Sequence, residues 1–453
     1  MIARLDSVKL ALSRRLASLE QQGYDVASLG VEPVDAVAGY DEALDLAERM
    51  SELPMRDDWP YVEPDTLEEI EAASDVRLLA AQPLPDDVTV KDKIRTGFLG
   101  SVCGCMLGKP LEMHPDMAML KEAATTTDGW PLHDYVTEAM LDQLPRRHRS
   151  WGETVRERIR YAAPDDDVNY TVIGMMLLEQ FGVDLTQQDV MVFWLHNLPP
   201  LFTFGPERNT LTAATLWAQY RNDLFEDQPY EDFARWNALW NYYTELCGAQ
   251  IRADAYGYAF PGDPVSASRM AYVDASVTHR KTGVYATMFT AAAIAAMFTE
   301  RHALDAFRSA AMVIPRQSRF RRTVNYCIEI VGGSDDWLGA YTAIHDAFND
   351  FGHCMIVQET GTLINSLHYA EDVADAFCKQ VMQGNDTDSY GATSGAMAGV
   401  RFGSSGLEGR WLAPLNDTLH TTVAGFYEQS LSTAAERMAE LPWKVAGRPV
   451  GPS

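Results

Sequence analysis

Apolar residues recur at helical spacing over most of this chain. Between Leu5 and Leu19 they fall at every third or fourth position, which places them on one face of an amphipathic helix. An acidic stretch at 41–50 predicts a second helix. Asp65, with Glu68 three residues later, has the spacing of a capping box and predicts the start of a third. The pattern therefore predicts that the chain opens with short helices.

From Lys91 onward, runs of alanine, leucine and methionine are broken by proline and glycine loops. Few stretches show the two-residue alternation that is typical of strands. The cluster of proline and aspartate at 83–87 is typical of a linker. We therefore expect an all-α protein in two parts, a helical extension at residues 1–90 and a compact helical domain at residues 91–453.

Two sets of glycines are spaced mainly by four residues, so that each set lies on one face of a helix. They are Gly100, Gly104 and Gly108, and Gly391, Gly395, Gly399 and Gly403. A glycine inside a helix costs about 1 kcal/mol relative to alanine, so a row of them needs an offsetting gain. Close approach of two backbones supplies one. The glycines therefore predict two tightly packed helices in the core.

The net charge of -27 means that the surface repels phosphate backbones and anionic lipid headgroups. Nucleic acids and membranes are therefore not expected as partners. The longest apolar run, from Gly283 to Phe298, is slightly short for a membrane span and rich in alanine, which favours a buried helix. The N-terminus lacks the apolar core of a signal peptide, and six scattered cysteines form no disulfide scaffold. These features predict a cytoplasmic protein.

The first candidate site is the run Asp165-Asp166-Asp167, which follows Pro164 and precedes an apolar helical segment. Proline and acids are also ordinary helix-start residues, because carboxylates stabilise the positive end of the helix dipole. Three consecutive carboxylates, however, repel one another unless they are solvated or bind cations. The run is thus either a helix start or a cation site.

The second candidate is Asp386-Thr387-Asp388-Ser389, which directly precedes the second glycine row. It offers oxygen ligands only, and such sites select magnesium, calcium or manganese over zinc or copper. Neighbouring glycines allow a ligand or another backbone to come close. No Walker A, dinucleotide-binding, Gly-x-Ser-x-Gly or His-Glu-x-x-His pattern points to another chemistry.

Together these segments resemble the ADP-ribosylglycohydrolase family. The segment IRTGFLGSVCGCMLGKPLE resembles its N-terminal glycine-rich helix, PDDDVNYTVIG its first metal motif and GNDTDSYGATSGAMAG its second. The matching segments keep the family's order between Lys91 and Gly403, which is more specific than any one motif. The resemblance implies an all-α fold with a pair of Mg²⁺ or Mn²⁺ ions in a cleft. It also implies hydrolysis of an N- or O-glycosidic bond at the anomeric carbon of an ADP-ribosyl group.

The resemblance also implies individual roles. The metal ligands it implies are Asp165, Asp166, Asp167, Asp386, Asp388 and Ser389. The catalytic carboxylates are expected to be Glu112, Asp166 and Asp386. Substrate contacts are expected from His279, which matches a cleft histidine, and from Gly257 and Gly391.

Three positions depart from the family pattern. Val168 stands where many members have threonine, Cys105 stands where many have aspartate, and the family's diphosphate-binding loop is replaced by the segment Gly257–Pro264. The expected substrate is therefore either an ADP-ribosylated protein or nucleotide, or a small ribosylated metabolite derived from NAD or a nucleoside. A non-catalytic ligand-binding relative is a third hypothesis, against which the intact set of oxygen ligands argues.

Overall fold

Helices make up most of the chain, which confirms the predicted all-α class. The computed structural model describes residues 4–30, 33–112, 115–218, 225 and 229–446. Within these ranges, the only strands are β1, Thr418–His420, and β2, Glu428–Ser430, which pair antiparallel with Thr418 opposite Ser430. The sheet is too small to organise the fold. Helix packing therefore determines where the functional residues lie.

The helices of the N-terminal part are α1 Leu5–Gln21, α2 Tyr40–Ser51 and α3 Leu67–Ala73. Those of the first half of the remaining chain are α4 Asp87–Gly108, α5 Met117–Thr126, α6 Glu138–Leu141, α7 Trp151–Thr154, α8 Asp166–Phe181, α9 Gln187–Asn197, α10 Gly205–Ala218, α11 Tyr230–Trp240, α12 Asp254–Ala259 and α13 Pro264–Thr278. The last are α14 Thr282–Ala296, α15 Ala303–Ala311, α16 Arg319–Gly333, α17 Trp337–Phe348, α18 Ile356–Tyr369, α19 Val373–Met382, α20 Thr387–Phe402, α21 Gly409–Leu412, α22 Leu431–Ala439 and α23 Leu441–Ala446.

The helix start expected at Asp65 lies one residue further along the chain, and it is an N-cap at Thr66 without the reciprocal backbone bond of a full capping box. The hydroxyl of Thr66 accepts the backbone N–H of Glu69 (3.4 Å) and donates to the Glu69 carboxylate (2.7 Å). Thr66 has extended backbone angles and is the residue before α3. The pair Thr66 and Glu69 has the same three-residue spacing as Asp65 and Glu68, so spacing alone did not decide between them.

The N-terminal helices have a small apolar cluster of their own. Leu12 of α1 and Leu46 of α2 are buried in it, and Leu239 of α11 packs against it. Further along, Val62 donates its N–H to Gln317 (3.1 Å), and Ile70 of α3 is buried in the main core. The first part of the chain thus makes both its own cluster and direct contacts with the larger body. The predicted boundary at residue 90 falls three residues after the first residue of α4.

Helix α14 occupies the centre of the main core. Each of its residues from Thr282 to Ala296 is buried, which confirms the predicted buried helix. Among the described residues, every helix is too short or too polar to cross a membrane. The apolar character of α14 therefore reflects its position between other helices.

The two glycine rows form the close contact predicted for them. Gly100 of α4 faces Gly395 of α20, and Gly104 faces Gly391, so the helices run antiparallel. A Cβ atom at Gly100 would lie 2.5 Å from the carbonyl oxygen of Gly395, and one at Gly104 would overlap the carbonyl of Gly391. Because the helices are antiparallel, the C-terminal end of α4 meets the N-terminal end of α20.

We expect Gly104→Ala to lower the free energy of unfolding by about 1–3 kcal/mol, because its methyl group displaces a backbone that has no rotamer to change. Urea denaturation of the purified variant measures the change. The matched control is Gly333→Ala at the end of α16, where no atom lies within 4 Å of an added Cβ. That substitution should leave stability unchanged or raise it by up to about 1 kcal/mol. Equal stability of the two variants would contradict the packing role of Gly104.

Candidate active site

Three helix ends meet where α4 and α20 are in contact. The C-terminal end of α4 continues through a 3-10 turn, Lys109–Leu111, to Glu112. The hydroxyl of Thr387, at the start of α20, donates to the carbonyl of Gly108 (2.8 Å) and fixes the two ends together. The N-terminal end of α8 joins them, since the Lys109 ammonium donates to the carbonyl of Pro164 (2.8 Å).

These ends bring the two acidic motifs together. We call the resulting group the carboxylate cluster, and its members are Glu112, Asp165, Asp166, Asp167, Asp386 and Asp388. Asp388 interacts electrostatically with both Glu112 and Asp165, and Asp167 interacts with Asp386. The other predicted ligand, Ser389, follows in the first turn of α20 and donates its N–H to Asp388 (3.1 Å). The predicted metal ligands are therefore neighbours in the fold.

Lys109 brings a positive charge into direct contact with this cluster. Its ammonium forms an ion pair with Asp165, and both side chains are largely buried. Burial alone would raise the pKa of Asp165, but the ion pair with Lys109 holds that pKa below its usual value. The charge of Lys109 also acts to lower the pKa of Asp166 and of Glu112, but burial and repulsion between carboxylates outweigh it there.

The remaining carboxylates are electrostatically unfavourable without a further cation. Burial, followed by repulsion from Asp165, raises the pKa of Asp166 and of Asp167 well above the usual value. Burial and repulsion from Glu112 do the same to the pKa of Asp388. In Glu112, burial and the charge of Asp386 raise the pKa. Positive charge brought into the cluster would stabilise the ionised form of all four groups.

The donor atoms fit a divalent cation in two respects. The Oδ1 atom of Asp167 is buried and accepts no hydrogen bond from the described residues. A buried carboxylate oxygen without a partner is unfavourable, and a cation would satisfy it. Oxygen donors of this kind are those that Mg²⁺ and Mn²⁺ prefer. Cys105 adds a thiol to this side of the cluster, with its sulfur within 4.8 Å of ligand atoms of Asp165 and Asp167.

Glu112 lies at the solvent side of the cluster between two histidines. Its side chain is 26% exposed, with His353 Nε2 at 3.6 Å from one carboxylate oxygen and His148 Nε2 at 3.7 Å from the other. Neither histidine was predicted for the site. They come from separate loops, and an isolated histidine in a sequence carries no signal of its tertiary neighbours.

Asp386 has further partners that were not predicted from the sequence. Its backbone N–H donates to the Glu359 carboxylate of α18 (2.9 Å), and the thiols of Cys247 and Cys354 lie 3.2 and 3.3 Å from its Oδ2 atom. Glu359 is an acidic residue within the otherwise largely apolar segment IVQETGTLI, which is only a weak indication of a functional role. The cysteines gave none, because they lie more than a hundred residues apart and share no short motif.

The three residues predicted to contact substrate lie in packed regions. His279 is fully buried at the end of α13, with Nδ1 2.7 Å from the Thr278 hydroxyl and 3.6 Å from Glu207. Burial and the nearby Arg252 lower the pKa of His279 well below its usual value, so its ring is neutral. None of these contacts involves the carboxylate cluster.

The two glycines face other helices. A Cβ at Gly391 would lie 2.6 Å from the carbonyl oxygen of Gly104, and one at Gly257 would lie 2.6 Å from Ile294 of α14. Gly257 is within α12 and not in a loop, and the neighbouring Tyr258 contacts Gly97. Gly97 precedes Gly108 by about three helical turns, or roughly 16 Å along α4. The structure therefore places Gly257 away from the cluster, and both glycines have a packing role.

The chain is similar to members of one known protein family. A family model described as ADP-ribosylglycohydrolase matches residues 86–444. A solved structure titled "ADP-ribosylglycohydrolase-related protein complex" is 16% identical and matches 78% of this chain and 99% of its own, with a TM-score of 0.48. No curated protein matches the sequence.

The family match extends over most of the chain and includes both acidic motifs and the glycine helices. It defines the class of the protein as a hydrolase of the glycosidase type. The chain belongs to the ADP-ribosylglycohydrolase family, as its sequence motifs predicted.

The raised pKa values predict how the cation-free protein responds to pH. Asp167 and Asp388 are more readily protonated in the folded chain than at their ordinary value of 3.8. The stability that they contribute is therefore present below that value and is lost as the pH rises through the raised values. Asp165 has a lowered pKa, so the stability that it contributes is instead present at higher pH and is lost as the pH falls. The raised pKa values of Asp166, Asp167 and Asp388 outweigh the lowered value of Asp165. We therefore expect the free energy of unfolding, measured in chelator, to fall as the pH rises from about 5 to about 8.

Asp167→Asn should make that decline with pH shallower, since an amide does not ionise. Urea denaturation at both pH values measures the slope, and Asp336→Asn, an exposed N-cap substitution on α17, is the control. Mg²⁺ or Mn²⁺ at about 100 times its Kd should stabilise the wild-type protein by about 2.7 kcal/mol. An unchanged slope in Asp167→Asn would contradict the assigned charge repulsion.

Proposed function

We propose that this protein is a divalent-cation-dependent hydrolase that cleaves the N- or O-glycosidic bond at the anomeric carbon of an ADP-ribosyl group. The principal support is the convergence of the carboxylate cluster from α4, α8 and α20, with a buried Asp167 oxygen left unpartnered. The family match supports the reaction class.

The cluster offers ligands for two cations, Mg²⁺ or Mn²⁺. We propose that the ligands are Asp165, Asp166, Asp167, Asp386, Asp388 and Ser389. When bound, such ions supply Lewis-acid chemistry, orienting ribose hydroxyls and lowering the pKa of an attacking water. The N-terminal ends of α8 and α20 add a favourable electrostatic contribution for these carboxylates through the helix dipoles. Lys109 keeps Asp165 ionised and in place.

Glu112 is the proposed general base. It is the member of the cluster next to two histidines at the solvent side, and its pKa is raised by burial and by Asp386, which makes the ionised group a stronger base. Glu112 accepts a proton as water attacks the anomeric carbon and the glycosidic bond breaks. The leaving nitrogen or oxygen takes up that proton, so the base is regenerated. The transition state has oxocarbenium character, as in other glycoside hydrolyses.

A large cavity provides the proposed binding region for the rest of the substrate. Its volume is about 960 Å³, within the range typical of small-molecule sites. Leu246 and Met355 form part of its wall. The residues next to them, Cys247 and Cys354, have thiols in contact with Asp386. Residues that line the cavity are thus adjacent in the chain to residues that contact Asp386, and on this ground we propose that substrate bound in the cavity extends to the carboxylate cluster.

Residues of the N-terminal extension also line the cavity. Tyr61 lines the cavity together with Tyr326, Phe351 and Arg322, and the Tyr61 hydroxyl accepts a hydrogen bond from Arg322 (3.1 Å). Aromatic rings and a guanidinium group match the base and the phosphates of a nucleotide. We propose that residues before α4 therefore take part in substrate binding.

The same cavity is compatible with a small ribosylated metabolite. An adduct of NAD or nucleoside origin would bury most of its surface there, whereas a protein substrate must present its ADP-ribosyl group through the opening. Release of ADP-ribose from modified arginine or serine peptides would favour the first substrate class. Activity restricted to small N-ribosides would favour the second.

Asp386→Asn tests the catalytic proposal. We expect loss of turnover with an intact fold, because the amide removes one negative ligand but keeps the size of the side chain. ADP-ribose release measured by chromatography gives turnover, and circular dichroism gives the fold. Asp336→Asn is again the control, since Asp336 is an exposed N-cap on another helix.

Unchanged turnover in Asp386→Asn would reject the proposed metal role of this residue. Titration calorimetry of the wild-type protein with Mg²⁺ and Mn²⁺ separates the catalytic hypotheses from a non-catalytic relative. Absence of binding at millimolar cation would reject both catalytic hypotheses.

Arg322→Ala tests the cavity. We expect KM to rise by roughly tenfold with little change in kcat, because the side chain lies away from the reacting bond and contributes equally to substrate and transition-state binding. Steady-state kinetics on an ADP-ribosylated substrate measures both constants. Arg308→Ala on α15 is the control, since its guanidinium pairs with Asp305 at the surface. A fall in kcat without a rise in KM would contradict the assignment.

A further inference from the structure

Two cysteines that are distant in sequence meet beside Asp386. Leu246 and Met355 form an isolated antiparallel bridge, and Cys247 donates its N–H to the carbonyl of Cys354 (3.2 Å). Residues placed opposite each other in this way have Cα atoms about 5.5 Å apart. The backbone pairing therefore fixes the two thiols as neighbours.

Both thiols point at the same carboxylate oxygen. The sulfur atoms of Cys247 and Cys354 lie 3.2 and 3.3 Å from Asp386 Oδ2, and the three ligand atoms are all within 4.8 Å of one another. In a tetrahedral zinc site, the usual bond lengths separate sulfur from carboxylate oxygen by about 3.5 Å. The spacing of these donors is thus close to that of a zinc site before any adjustment.

Two further observations single out this position. Cys354 has a φ of 61°, a left-handed conformation that is uncommon for residues other than glycine and asparagine. The preceding residue, His353, has a buried Nδ1 atom without a hydrogen-bond partner among the described residues. His353 also has a ring nitrogen within 4.8 Å of ligand atoms of Asp386 and Glu112. The adjacent residues His353 and Cys354 thus both have a possible ligand atom close to Asp386.

We propose that Cys247, Cys354 and Asp386 bind a thiophilic divalent cation, such as Zn²⁺, with His353 or water as the fourth ligand. Binding releases the two thiol protons to solvent and forms two metal–sulfur bonds, with no change in oxidation state. The thiolates give this site a metal preference opposite to that of the oxygen donors at Asp165–Asp167. Because Asp386 belongs to both donor sets, Zn²⁺ here removes a carboxylate from the hard-cation ligands.

The test uses the full chain, reduced and free of oxygen, titrated with Co²⁺ as a spectroscopic substitute for Zn²⁺. We expect one Co²⁺ per chain to produce a thiolate-to-metal charge-transfer band in the near ultraviolet, which added Zn²⁺ abolishes by displacement. The double substitution Cys247→Ser and Cys354→Ser should remove the band. Cys378→Ser, which removes a buried thiol outside the described metal-capable groups, should retain it.

Alkylation of the wild-type protein provides a second measurement that needs no variant. Zn²⁺ should slow modification of Cys247 and Cys354 by at least about tenfold, while Cys103, Cys327 and Cys378 are unaffected. Absence of the Co²⁺ band, its persistence in the double variant, or equal alkylation with and without Zn²⁺ would overturn the proposal. The proposal would also be overturned if Cys247 and Cys354 form a disulfide and the protein, after reduction of that disulfide, does not bind Co²⁺. None of these readouts requires hydrolase activity, so the two proposals fail independently.

Discussion

The backbone contact between α4 and α20 is the constraint on which the rest of the site depends. Only glycine lets Gly100 and Gly104 approach the carbonyl oxygens of the facing helix so closely. The antiparallel arrangement then sets the end of α4 against the start of α20, where Thr387 donates to Gly108. Without this contact, the two acidic motifs would belong to separate surfaces of the core.

The buried carboxylates of the cluster carry more negative charge than the neighbouring side chains balance. Lys109 neutralises Asp165, whereas burial and mutual repulsion raise the pKa values of the neighbouring carboxylates. Helix dipoles at the starts of α8 and α20 offset part of this repulsion, but each is worth only about 0.3–1 kcal/mol near the surface and at most about 2 kcal/mol in buried geometry. This concentration of buried carboxylates is the electrostatic support for the proposed cation binding.

The sequence predicted features that local spacing determines. The glycine rows implied a close helix pair, and the apolar run at α14 implied a buried helix; both are present. Contacts of Asp386 with Glu359 and Cys354 could not be predicted, because they depend on how distant segments pack. Gly391 illustrates a further limit: a helical glycine beside an acidic motif has the same sequence signature whether a ligand or another backbone approaches it.

The two halves of the cluster are stabilised by different chemistry. At the first motif, an ammonium group supplies positive charge to Asp165. At the second, two thiols and a backbone N–H–carboxylate bond surround Asp386, and the segment bearing Cys247 is held by the buried pairing of Arg252 with Glu207 (2.6 Å). Arg252 also donates to the carbonyl of Gly248, the residue after Cys247 (2.8 Å). A neutral thiol contributes no positive charge, so a cation bound at Asp386, as proposed, would supply there the kind of charge that Lys109 supplies to Asp165.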